Sequence, residues 1–154
     1  MIKTQKDIDK KLTLTITTPR GIKFVEKADL VVMRCIDGDL GVMPGHAPLS
    51  AVLGDGILRI FNNGVVSKLA VFGGVVDIRD RTVNIFTTIA QRPEEIDRER
   101  AERDKREAEE LLEKSEEKQS RKLQVLLQRS LVRIEVSSHL DDTSYYDSEE
   151  EEKE

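Results

Sequence analysis

Asp37-Gly38-Asp39-Leu40-Gly41-Val42-Met43-Pro44-Gly45-His46-Ala47-Pro48-Leu49 decides how the chain is read, because three glycines and two prolines stand there among apolar residues. Glycine supplies backbone angles that other residues avoid, and proline fixes φ and removes a donor, so together they force one particular corner rather than a generic loop. The segments on either side are spaced like a β protein. Upstream, Leu12-Thr13-Leu14-Thr15-Ile16-Thr17-Thr18 alternates apolar and hydroxyl residues, which puts Leu12, Leu14 and Ile16 on one face of a strand that Pro19-Arg20-Gly21 ends.

The other apolar groups up to Phe86 are short and β-branched, and turn signals separate them: Asp37-Gly38, Gly54-Asp55-Gly56 and Asn62-Asn63-Gly64. Asn63-Gly64 is the clearest hairpin, since a two-residue Asn-Gly turn matches the twist of the strands beside it. Gly73-Gly74, inside the apolar run Leu69 to Val76, marks a bulge or the close approach of another backbone. Many short strands at close spacing predict two sheets packed face to face or a flattened barrel.

At Pro93 the period changes. Proline at the first helical position, with Glu94 and Glu95 in the first turn, predicts a helix from 93 to about Lys114 with a thin apolar face of Ile96, Ala101, Ala108, Leu111 and Leu112. A second amphipathic helix over roughly 119–136 carries the stripe Leu123, Leu126, Leu127, Leu131 and Ile134. No glycine or proline lies between them, so nothing local enforces a hairpin over one longer helix. The fold expected is therefore an all-β N-terminal sandwich or flattened barrel followed by a C-terminal α-helical hairpin. Its parts are a polar arm (1–11), the β-sandwich (12–92), a two-helix domain (93–137) and an acidic tail (138–154) expected to be disordered, with 8 Asp and Glu against one Lys from Leu140 on.

Of 154 residues, 38% are apolar and 36% charged, and the charge is divided: residues 1–92 carry 13 Lys and Arg against 9 Asp and Glu, residues 93–154 carry 12 against 21. An acidic chain with 4% aromatics lacks the dense basic face that a nucleic acid demands. Cys35, the only cysteine, allows no internal disulfide and no multi-cysteine metal site. The longest apolar run is far too short to cross a bilayer, so no direct membrane insertion is expected. There is no Gly-Lys pair for a phosphate loop, no HExxH and no G-x-S-x-G, and only two histidines, so neither a catalytic residue nor a metal ligand is assigned and a non-catalytic chain is expected.

Three places remain as candidate sites. His46, in the Pro-bounded corner, is read as hydrogen-bonding backbone groups that the irregular loop leaves unpaired. Asp97 and Arg100 lie three apart, with Ala101 beside them leaving space for a flat group; a surface salt bridge explains the same residues. Arg129 and Arg133, four apart, form a two-cation face able to grip a phosphate, or to hold a helix pair or an acidic partner by charge.

The pattern G-x-L-G-x-x-P-G-H-x-P-L from Gly38 to Leu49 resembles the signature of the ε subunit of bacterial F-type ATP synthases, and Gly56-Ile57-Leu58-Arg59-Ile60 and Val71-Phe72-Gly73-Gly74 add to the resemblance, which spans about Leu12 to Val136. It implies a rotor subunit of the central stalk. The sandwich would grip the γ subunit and rest on the c-ring, coupling rotation driven by a proton gradient to ATP synthesis from ADP. Asp39, which matches an acidic residue of the motif, and His46 would lie at the ring contact. The helices would inhibit ATP hydrolysis by meeting the β (and α) subunits when extended and permit turnover when folded down. Ile96-Asp97-Arg98-Glu99-Arg100-Ala101 matches the motif I/L-D-x-x-R-A through which some members bind ATP, and Arg129 and Arg133 match the paired arginines of the second helix. The resemblance thus implies ATP as a regulatory ligand at Ile96, Asp97, Arg100, Ala101, Arg129 and Arg133, with no cofactor required, and a peripheral position on the cytoplasmic side of the cell membrane. The alternative from another class is a free-standing β-sandwich adaptor that docks an unrelated helical partner.

Overall fold

The computed structural model describes residues 10–139, the side chains of 117–119 excepted. Most of the polar arm and the acidic tail from 140 lie outside the described residues. Eight strands come first: β1 (Leu12–Thr18), β2 (Gly21–Ala28), β3 (Leu30–Cys35), β4 (Gly38–Val42), β5 (Leu49–Asn62), β6 (Val65–Arg79), β7 (Thr82–Phe86) and β8 (Ile89–Gln91). A single 3-10 turn, Pro93–Glu95, leads to helices α1 (Arg98–Lys114) and α2 (Glu117–Ser138). The expected β-sandwich followed by a helical hairpin is what forms.

The strands pair in the order β2-β1-β7-β6-β5-β3-β4, with β8 also on β6. The pair β1–β7 is parallel; the other pairs are antiparallel. Alternation sets the register. Leu12, Leu14 and Ile16 are fully buried and meet Val31, Met33, Leu58, Ile60, Ile78 and Ile85 in one core to which all eight strands contribute. Lys11, expected in the free arm, is tied down: its Nζ lies 2.9 Å from Asp29 and 2.8 Å from Asn63 Oδ1.

The hairpin β5–β6 turns at Asn63 (φ 53) and Gly64 (φ 77), the two positive angles that an Asn-Gly turn supplies. Gly54-Asp55-Gly56 differs from expectation, because the strand runs through it in register with β6. Against β3 it is a bulge: from the pair Val32–Arg59 to the pair Cys35–Leu53, β3 advances three residues and β5 six. A Cβ on Gly56 would lie 2.6 Å from Arg34 Cβ, so the residue type answers a close approach and not a chain reversal. At Gly74 (φ +113) a Cβ would fall 2.1 Å from the Phe86 carbonyl oxygen. There β7 leaves the edge of β6 and β8 takes it over, with the Thr87 hydroxyl donating to the Gly73 carbonyl at 2.9 Å.

The first helix begins later than Pro93 suggests. Pro93–Glu95 makes one 3-10 turn, Ile96 is extended, and Asp97 caps α1 by accepting the Arg100 backbone N–H at Oδ1, 3.1 Å away. A carboxylate can satisfy one of the unpaired donors of a first turn, and proline cannot. On α1 only Ala101 and Ala108 are buried, and Leu111 is exposed. On α2, Leu126 and Leu131 of the expected stripe are exposed, while Val132, Val136, Ser130 and Ser137 are buried. The helix divides its inner surface between α1 and the sheet, and both buried serines satisfy their hydroxyls on carbonyls within α2. The helices join through Ser115 and Glu116, both extended.

Candidate functional site

The helical hairpin lies on the outer face of β5 and β6. Phe72 and Ala70, on the side of β6 turned from the main core, form a second apolar cluster with Val132 and Val136 of α2, and Ile57, Ile89 and Ile96 pack against it. The cluster is small, so polar contacts around it contribute much of the attachment. Arg129 Nε lies 2.9 Å from Asp55 Oδ2. Arg133 Nε donates to Gln91 Oε1 at 2.9 Å. Both guanidinium carbons approach the Phe72 ring, at 5.1 Å for Arg129 and 4.8 Å for Arg133, within cation–π range. Beyond them Glu135 stands 4.0 Å from Lys68, and His139 Nε2 donates to the Val66 carbonyl at 2.7 Å.

Arg133 reports the local field. Burial lowers its proton affinity most, Arg129 and Arg100 lower it further, and Asp104 and Asp55 act against them. The first turns of α1, the second half of α2 and strand β5 therefore bring three arginines and two aspartates within range of one another's charge. Of the residues that the sequence marks for a nucleotide, Arg100, Arg129 and Arg133 come together there. Ile96 packs on the apolar cluster beneath them. Asp97 spends one carboxylate oxygen on the helix N-terminus. Ala101 is 2% exposed, packed into the hairpin. Asp55, Phe72 and Gln91 were not anticipated as parts of this site. Asp55 reads as a turn residue between glycines, and Phe72 as one residue of the apolar run Leu69 to Val76.

Asp39 and His46 are apart from this cluster in kind. Asp39 lies in strand β4 and not in a loop, opposite Arg34 in register, with their ion pair at 3.3 Å and both side chains more than half exposed. An open polar cleft of about 310 Å³ contains Arg34, Asp39, Asp55, Arg59, Gln128 and Glu135. His46 donates its backbone N–H to the Met43 carbonyl at 3.1 Å, and its Nδ1 lies 2.6 Å from the Ala47 carbonyl, so that nitrogen carries the hydrogen. Its ring serves the corner.

One more surface stands out. Ile36, directly after β3, and Val52, Val75 and Phe86 of β5, β6 and β7 follow one another across the sheet and are 73%, 50%, 48% and 49% exposed. Four large apolar side chains in one row on a sheet's outer face mark an interaction surface.

Residues 11–93 match the family model of the ATP synthase delta/epsilon chain β-sandwich domain, and residues 94–138 that of the long α-helix domain of the same chain. An ATP synthase epsilon chain of Shouchella clausii is 35% identical over 128 residues, 83% of this chain and 96% of the relative. One from Desulforudis audaxviator is 44% identical over 99 residues, 64% of this chain and 72% of the relative. A chain in the cryo-EM structure of the Euglena gracilis mitochondrial ATP synthase superposes with a TM-score of 0.72 at 24% identity, over 90% of this chain and 88% of that one, a likeness of fold.

Proposed function

The chain belongs to the ATP synthase delta/epsilon family, and on that premise we propose that it is the ε subunit in the central stalk of a bacterial F-type ATP synthase. It is a non-catalytic part of the rotor, docked on γ and seated on the c-ring, and it passes rotation driven by a proton gradient to the catalytic head. The observation that supports docking is the apolar row Ile36, Val52, Val75 and Phe86, which a free-standing domain would leave in water. No described helix is long and apolar enough to cross a membrane. The subunit is then held at the cytoplasmic face of the cell membrane by the ring.

The hairpin regulates. Laid on the sandwich it permits turnover; extended, it meets the β and α subunits and stops hydrolysis. ATP, bound by Asp97, Arg100, Arg129 and Arg133 with Ile96 and Ala101 beneath, stabilises the folded form by its differential affinity for it. The support is the pairing of Arg129 and Arg133 over one aromatic ring, with Arg100 of the first helix close enough for its charge to act on Arg133.

Co-purification with a γ–c-ring assembly tests the docking. The wild-type chain is retained, and Val75→Lys, which puts a charge in the middle of the row, is washed off; equal retention of both removes the row from the interface. An ATP titration followed by backbone amide shifts tests the sensor. Saturable shifts across 96–101 and 129–133 that vanish in Arg100→Ala support it, and no movement at millimolar ATP refutes it.

A further inference from the structure

Arg129 already has an anion within the chain. Asp55 is delivered by the three-residue excess of β5 over β3, between two glycines, one of which passes too close to Arg34 for any side chain. Its Oδ2 stands 2.9 Å from Arg129 Nε, and the two side chains are only 23% and 32% exposed, so the pair is screened less than an exposed one. In the same neighbourhood the charges of Arg129, Arg100, Asp104 and Asp55 all act on Arg133, while Asp97 is engaged with the start of α1. Without Asp55, Arg129 would lose the carboxylate paired with it. A triphosphate supplies negative charge at the same guanidinium.

We propose that Asp55 is a built-in competitor for nucleotide phosphate at Arg129: it fastens the hairpin to the sandwich when no nucleotide is present and must yield this arginine when one binds. The proposal rests on the ATP-sensing reading and deepens it. Asp55 then sets the affinity of the site and, with it, the ATP concentration at which the hairpin responds.

The test is MgATP binding to the full chain by calorimetry, for wild type, Asp55→Asn and Asp37→Asn. Asp37→Asn removes the same charge from an exposed turn and controls for net charge. With the hairpin still held by its Gln91, Val66, Lys68 and Phe72 contacts, Asp55→Asn is expected to bind roughly tenfold tighter, within the range by which one site biases another, and Asp37→Asn as wild type does. Equal or weaker binding by Asp55→Asn overturns the competition and leaves the ATP site standing. No binding by either protein at millimolar MgATP overturns both. Asp55→Ser, read in the same way, replaces Asp55→Asn if that variant loses the amide spectrum of the sheet.

Discussion

The guanidinium carbon of Arg133 lies 4.8 Å from the centroid of the Phe72 ring, and Arg129 approaches the same ring at 5.1 Å. One aromatic side chain of the sandwich thus serves two cations of α2 while its carbon surface lies against Val132 and Val136. Phe72→Leu keeps most of the apolar volume and removes the π face. A cation–π contact of this kind contributes about 1 kcal/mol, so hydrogen exchange at the Val132 and Val136 amides is expected to quicken by roughly five- to tenfold while core strand amides are unchanged. Unchanged exchange throughout would mean that the arginines rest on the ring without holding the hairpin.

Gly74→Ala brings a Cβ to 2.1 Å from the Phe86 carbonyl at a backbone φ of +113. Neither atom can move without disturbing the crossing where β8 replaces β7 beside β6. The expected loss is about 3 kcal/mol or more of unfolding free energy in urea. Gly41→Ala, whose Cβ would meet only Leu30 Cδ1 at 3.8 Å, is expected to change it by less than about 1 kcal/mol.

Local rules made the sandwich legible. Alternation at Leu12, Leu14 and Ile16 and the Asn63-Gly64 turn each need only neighbouring residues, and they specify strand face and hairpin register. The same rules misread Gly54-Asp55-Gly56, because Gly-Asp-Gly looks alike whether the chain reverses or merely passes close to another strand; the neighbour that decides, Arg34, is some twenty residues away. The candidate site divides in the same way. Arg129 and Arg133 are visible as a spaced pair, but Asp55 and Gln91, the groups that engage them, lie 74 and 42 residues away. The α2 stripe misled because hydrophobicity ranks Leu126 and Leu131 above Ser130 and Ser137, whereas a helix lying between another helix and a sheet needs small residues with self-satisfied hydroxyls at its closest approaches.

Glu26 supplies a pH dependence. Burial raises its carboxyl above the ordinary range, and Arg92, whose guanidinium lies 4.7 Å from the Phe24 ring, partly opposes the rise. A carboxyl with a higher pKa folded than unfolded binds its proton more firmly in the fold. Its contribution therefore favours the folded state at low pH and is lost as pH rises through the folded value. Glu26→Gln is accordingly expected to be the more stable protein at pH 7, by less than about 1 kcal/mol because water still reaches the carboxylate. Urea midpoints measured from pH 7 down to pH 3.5 should converge with those of wild type; a gap that widens on acidification contradicts the assignment.

The junction of the two helices is held from outside. Ser115 (φ −94, ψ 148) and Glu116 (φ −76, ψ 157) are extended, a conformation open to any residue, so no positive φ obliges the chain to reverse. Alanine at both positions raises helix propensity by about 0.5–1 kcal/mol in favour of one continuous helix. Against that stand the Asp55, Gln91, Val66 and Lys68 contacts of α2 and the Phe72 cluster. Spin labels at positions 106 and 124 separate the two forms. In the hairpin they sit on neighbouring helices whose axes are roughly 10 Å apart, and in a continuous helix 18 residues rise about 27 Å. Ser115→Ala/Glu116→Ala alone should keep the short distance dominant, and adding Asp55→Asn and Phe72→Leu should populate the long one. If the two alanines suffice to open the hairpin, the junction and not the sandwich is what keeps it closed, and a ligand acting at Arg129 and Arg133 would have little left to control.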